Sequence, residues 1–188
     1  ATPTMCANTA GSILVAPASL ASGTITEYQW WESPDNSPGS YTRIIAAGAA
    51  TVTYDPGIIA ATTFYKRKTI SNLNDVICEA ETIPPLKIEV PPLPVSVLTA
   101  TNAAEVTVVG SGTLTICDGE LVTFRANNGA SYEFFNGGGT SLQASSASNT
   151  YTSTTLITGD RVYARAYNAA GCFSRTDTIT IISTTVSA

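Results

Sequence analysis

Glu27-Tyr28-Gln29-Trp30-Trp31 and, further along the chain, Ser131-Tyr132-Glu133-Phe134-Phe135 are two versions of one stretch. Reading them as a pair decides the fold. Each is a run of strand-favouring aromatics in which alternation puts Tyr28 and Trp30, or Tyr132 and Phe134, on one face and Trp31 or Phe135 on the other. The match extends in both directions. Cys6 pairs with Cys117, Val52-Thr53-Tyr54 with Asn149-Thr150-Tyr151, Thr63-Phe64-Tyr65-Lys66-Arg67 with Arg161-Val162-Tyr163-Ala164-Arg165, and Cys78 with Cys172. The offsets, by subtraction of residue numbers, are 111, 104, 97, 98 and 94. Loop insertions produce such a drift, so the 188 residues hold two diverged copies of one module.

Within each copy, short runs of β-branched and aromatic residues are separated by Gly, Pro, Asn and Asp clusters. Strands are predicted over residues 12–16, 25–31, 41–45, 51–54, 62–70 and 76–90 (with interruptions) in the first copy. In the second they are predicted over 95–99, 105–109, 114–116, 120–126, 131–136, 149–152, 160–168 and 173–182. No segment sustains a 3.6-residue period. The predicted fold is all-β, two tandem β-sandwich domains over residues 1–92 and 93–188. Pro91-Pro92-Leu93-Pro94 reads as a short, stiff link, since proline fixes φ and removes backbone donors. Such a link suits an extended rod.

The copies differ at their start. The second carries about 22 residues, from Val95 to Ile116, ahead of its first cysteine, and the first carries five. The first module is therefore expected to lack its opening strand, either because the chain was cut there or because another chain supplies it, and a missing edge strand leaves unpaired backbone groups that invite strand addition.

Composition narrows the chemistry. Charged residues are 12% of the chain and the net charge is -5, so no basic footprint for a nucleic-acid backbone exists. Histidine is absent, which removes the usual general base near neutral pH and the Ser-His and Cys-His nucleophile pairs. No apolar stretch is long enough for a transmembrane helix. Asn136-Gly137-Gly138-Gly139-Thr140 lacks the lysine of a phosphate-binding loop and reads as a hairpin turn. Asp118, Glu120, Asp160 and Asp177 are not spaced as a calcium loop. No enzyme activity, cofactor or metal is expected.

Four cysteines allow three pairings. Module symmetry selects Cys6 with Cys78 and Cys117 with Cys172, closing loops of 72 and 55 residues by subtraction. Each such loop would stabilise by about 4 kcal/mol on chain entropy alone, and an extracellular location follows from an oxidised framework. Of the aromatics, one face must be core. Trp30, Trp31, Tyr163 and Tyr167 are the candidates for surface contact, as a platform for sugars or peptides. Tyr65 and Arg67 in one copy and Tyr163, Arg165 and Tyr167 in the other are expected to form an outward stripe, opposite Phe64 or Val162, Ala164 and Ala166.

Tyr28-Gln29-Trp30-Trp31-Glu32-Ser33-Pro34-Asp35, Tyr54-Asp55-Pro56 and Thr62-Thr63-Phe64-Tyr65-Lys66-Arg67 resemble the Ig-like or PKD-like repeats of very large Bacteroidota surface proteins. Cys117-Asp118-Gly119-Glu120, Thr158-Gly159-Asp160-Arg161-Val162 and Asn168-Ala169-Ala170-Gly171-Cys172 resemble the same repeats in gliding-motility adhesins of the SprB type. The resemblance implies a non-catalytic structural or adhesive module of a cell-surface filament, exported by type IX secretion. It also implies neighbouring modules or sibling subunits as partners, with surface polysaccharide as a further one. Asp177-Thr178-Ile179 is similar to the O-glycosylation motif of that phylum, with Thr178 as the acceptor. Two alternatives stand beside this reading: a small filament subunit that polymerises by strand donation, and a carbohydrate-binding accessory module of a secreted enzyme.

Overall fold

The structure, a computed structural model, describes residues 3–16 and 23–185. The chain divides into two compact units, Ala1–Pro91 and Pro92–Ala188. The described residues contain strands and no helix.

Unit 1 is built from β1 (Thr9–Ala10), β2 (Leu14–Val15), β3 (Thr24–Ser33), β4 (Thr42–Arg43), β5 (Thr53–Tyr54), β6 (Ile58–Ile59), β7 (Thr63–Leu73), β8 (Val76–Glu81) and β9 (Leu86–Ile88). The main sheet runs β4-β3-β7-β8, with β9 also pairing β7. The short pairs β2-β5 and β1-β6 complete the unit. Trp30 is fully buried at its centre with Leu14, Ala16, Ala49, Ile59, Tyr65 and Ile88. Its indole donates to the Thr51 carbonyl at 3.0 Å, and its ring lies 5.8 Å from that of Tyr54. A buried tryptophan usually finds such a partner for its N–H.

Unit 2 comprises β10 (Leu98–Thr101), β11 (Thr107–Val109), β12 (Thr113–Cys117), β13 (Val122–Ala126), β14 (Ser131–Asn136), β15 (Ser141–Ser146), β16 (Thr150–Ser153), β17 (Arg161–Tyr167), β18 (Phe173–Arg175) and β19 (Ile179–Thr184). One sheet runs β11-β10-β13-β16 and the other β12-β19-β17-β14-β15, with β18 on β17. Period-2 patterns in β10, β12, β13 and β17 turn Leu98, Leu114, Phe124 and Val162 inward, where all four are fully buried. Both sheets contribute to one core around Phe134. The unit is a β-sandwich.

The turn Asn136–Thr140 joins β14 to β15 as a hairpin, with Asn136 N–H donating to Thr140 O at 2.9 Å. Two glycines are needed there. Gly139 has φ 86°, and a Cβ on Gly137 would come within 2.8 Å of Arg161 Cβ. Strand β15 was not expected from the sequence, because Ser141-Leu142-Gln143-Ala144-Ser145-Ser146 is almost wholly exposed and shows no apolar alternation.

The structure corrects one face assignment. Trp30 lies opposite Arg67, whereas Phe134 lies opposite Ala164. The spatial equivalent of Arg67 is therefore Ala164, and that of Arg165 is Lys68, one residue away from the match by sequence. A one-residue shift exchanges the faces of a strand. Tyr65 and Arg67 consequently point inward and are 3% and 2% exposed, and Lys66 and Lys68 take the outer face of that strand.

In the turn after β3, Asp35 accepts hydrogen bonds from the Ser40 hydroxyl at 2.6 Å and Ser37 N–H at 2.9 Å. These bonds, the Ser40 hydroxyl first, hold its carboxyl at about 2, below the usual 3.8. A depressed folded-state value means that the turn's contribution is present above pH 4 and lost as pH falls towards 2. Asp35→Asn is accordingly expected to flatten that part of the acid-unfolding curve of unit 1, read by tryptophan fluorescence.

Candidate functional site

Among the described residues, the two units differ in the pairing of one strand. In unit 2, β13 lies between two strands: Phe124 pairs with Tyr151 of β16 on one side and with Ala100 of β10 on the other. In unit 1, Leu14 of β2 pairs with Tyr54 of β5, the same relation on the first side. Among the described residues no strand pairs with the second side of β2. A groove of about 430 Å³ lies there, with residues 12–15 on one wall, 85–87 on the other and Pro3 at its rim.

The far wall is also only partly paired. Pro3–Met5 meets β9 at a single parallel bridge, Thr4 to Glu89, with Glu89 N–H donating to Pro3 O at 2.9 Å and Met5 N–H to Glu89 O at 3.0 Å. The corresponding contact in unit 2 is the five-residue parallel ladder of β12 on β19. Backbone groups alternate in direction along a strand, so Lys87, two residues before Glu89, faces the groove with its N–H and C=O. Ile13 and Val15 are 63% and 67% exposed.

The candidate aromatic platform does not assemble as the sequence suggested. Trp30 is wholly inside and Tyr163 is 5% exposed, so neither offers a surface. Tyr163 stacks on Phe135 at 5.1 Å and 9°, beneath the Arg175 guanidinium at 3.7 Å. Trp31 and Tyr167 are half-buried. Trp31 lies under Lys68 at 5.7 Å, as Phe135 lies under Arg165 at 4.5 Å, so the outer faces of the two units carry equivalent cation-π pairs. The Tyr167 hydroxyl donates to Glu133 at 2.9 Å, and burial, followed by that carboxylate, pushes its pKa up. In unit 1, Lys66 and Lys68 pair with Glu81 and Glu79 across β7 and β8. These are cross-strand ladders on solvated faces. Thr178 lies half-buried before β19, its hydroxyl oxygen accepting from Arg175 at 3.2 Å.

The cysteines also depart from the expected pairing. Cys78 and Cys117, one from each expected pair, are free thiols. Strand directions explain why the symmetric pairs do not form. Cys117 lies beside Thr184, beyond the Arg161 end of β17, while Cys172 follows the Tyr167 end. The strand between them spans roughly 20 Å at about 3.3 Å per residue, against a disulfide limit of about 7 Å between Cα atoms. Likewise, Cys6 adjoins Glu89 near Thr63, and Cys78 faces Ser71 toward the other end of β7. Alkylation under denaturing, non-reducing conditions is expected to label Cys78 and Cys117 only, and mass mapping checks it.

Among the described residues no group of His, Cys, Asp or Glu is arranged to hold a metal ion, and no helix is long and apolar enough to cross a membrane.

A family model described as a domain of unknown function, DUF8696, matches residues 1–92. No curated protein matches the chain. Among solved structures the chain is similar to the fibronectin(III)-like modules of Clostridium thermocellum CbhA, at 11% identity and a TM-score of 0.41, over 98% of this chain and 90% of that one.

Proposed function

We propose that this chain is a non-catalytic structural and adhesive segment of a cell-surface filament or adhesin, of the kind that serves gliding motility. The observation that carries the reading is the internal repeat: the aromatic strand centred on Trp30 recurs around Phe134, each packed against a tyrosine at 5.8 Å. Repetition of one module is how extended surface proteins gain length, each module needing only its neighbours. The lack of histidine and the low charge agree with a role based on contact. A disulfide fits an oxidising, extracellular compartment, and the likeness to SprB-type repeats adds type IX export and O-glycosylation at Thr178. Its partners are neighbouring modules, sibling subunits and surface polysaccharide. The sugar-platform alternative is the weaker one, since two of its four aromatics are core residues.

The test is made on producing cells. Antibodies to the chain should label intact cells, and mass spectrometry of the shaved surface material should find it within a larger polypeptide glycosylated at Thr178. Disrupting the gene should abolish attachment or spreading. Labelling only after lysis, together with unchanged attachment in the disruptant, would overturn the proposal.

A further inference from the structure

We infer that the outer face of β17 and β18 is a binding site for an acidic polysaccharide, whose uronic-acid carboxylates are held by Arg165 and Arg175. The inference rests on the polysaccharide partnership proposed above and deepens it, giving that partner a charge and a place on unit 2.

Unit 1 supplies the contrast. There β8 lies on β7 as β18 lies on β17, and the Thr82 N–H donates to Arg67 O as the Thr176 N–H donates to Ala164 O, both at 2.9 Å. In that register Glu79 and Glu81 are the spatial equivalents of Phe173 and Arg175. Lys68 stands opposite Glu81 and bonds Glu79 at 2.8 Å, so the face of unit 1 neutralises itself. In unit 2, Arg165 stands opposite Arg175. Like charges directly opposite one another cost stability, and here a second cation holds the place that a carboxylate holds in unit 1. Every Asp and Glu of the chain lies among the described residues, and none of them forms an ion pair with Arg165 or Arg175. Glu133, across from Arg165 on β14, accepts instead from the Tyr167 hydroxyl at 2.9 Å.

Both guanidinium groups are braced by rings. Arg165 lies 4.5 Å from Phe135 and 4.7 Å from Phe173, and Arg175 lies 3.7 Å over Tyr163. A guanidinium stacked in this way keeps its N–H groups along its edge, where two at a time match a carboxylate. Thr178 takes one nitrogen of Arg175 at 3.2 Å. Phe135 and Tyr163 are buried beneath, so the contact is made by charge rather than by an open aromatic platform. Arg161, exposed on the same face four residues along β17, adds a third cation roughly 13 Å from Arg165 on strand geometry.

The surroundings select the polymer. Unit 2 holds four arginines against six carboxylates, so a densely charged nucleic-acid backbone meets net repulsion beyond this face. An extended peptide gains its main-chain ladder at a sheet edge, not on a face. A sugar chain with widely spaced carboxylates fits cations spaced along a strand.

The experiment titrates the full chain with oligogalacturonate, followed by amide and arginine side-chain NMR shifts. Saturable shifts are expected around Arg165 and Arg175, and the affinity should fall as salt is raised. Arg175→Glu, which copies the arrangement of unit 1, should weaken binding by on the order of tenfold or more while leaving the melting transition in place. Arg165→Lys keeps the charge but not the fork and should bind less tightly than the unaltered chain. Arg125→Gln, on the other sheet, should leave binding unchanged. No saturable shift at millimolar sugar, equal shifts with the methyl-esterified oligomer, an equal loss in Arg125→Gln, or tighter binding of polyglutamate or single-stranded DNA would overturn the proposal. The titration needs no cells, so its failure beside intact surface labelling and an attachment defect in the disruptant removes this site and leaves the adhesive reading standing.

Discussion

Trp30→Ala is expected to destabilise unit 1 by about 3–5 kcal/mol, the range for removing a fully buried large aromatic. The indole is 0% exposed, packs on Tyr54 and satisfies the Thr51 carbonyl. Its loss leaves a cavity at the centre of the smaller of the two core clusters and an unpartnered acceptor at its rim. For a unit of this size, 1 kcal/mol moves the melting point by about 4–8 °C, so the transition should fall by more than ten degrees. The readout is selective. Both tryptophans lie in unit 1, so Trp31 fluorescence follows that unit while the far-ultraviolet signal still includes unit 2. Trp31→Ala, at a half-buried outer position, should cost far less.

Arg67→Ala has the second largest expected effect, about 2–4 kcal/mol, through a lost charged hydrogen bond and the cavity left behind. The guanidinium donates to Val52 O at 2.6 Å and lies 5.1 Å from the Tyr28 ring while 2% exposed. Arg67→Met keeps most of the volume and should recover part of the loss. Arg165→Ala provides the contrast: that arginine stands on the outer face between Phe135 at 4.5 Å and Phe173 at 4.7 Å, and its removal should cost less than about 1 kcal/mol. Urea unfolding of the three variants checks the face exchange directly, because the sequence match would make Arg67 and Arg165 equivalent and equally mild.

That exchange marks where the sequence could be read and where it could not. The paired aromatic runs and the glycine hairpin were legible because each rests on local chemistry: strand alternation and positive φ. The face of β7 was not. Tyr65-Lys66-Arg67 and Tyr163-Ala164-Arg165 match by residue type but are displaced by one position in space, and only the pairing with β3 or β14 reveals it. The cysteine pairing failed for a similar reason, since module symmetry says nothing about which end of a sheet a residue occupies. Strand β15 was hidden by its polarity, and β1 and β6 by having two residues each.

The groove between residues 12–15 and 85–87 was not legible, because its two walls are far apart in the chain and meet only in the fold.

Amide hydrogen exchange on the full chain tests the central difference between the two units, the pairing of β2 and β13, most directly. Thr123 and Arg125, covered by β10, should exchange slowly, while Ile13 and Val15 exchange near the rate of an unpaired edge. Equal protection at the two pairs of positions would contradict the account.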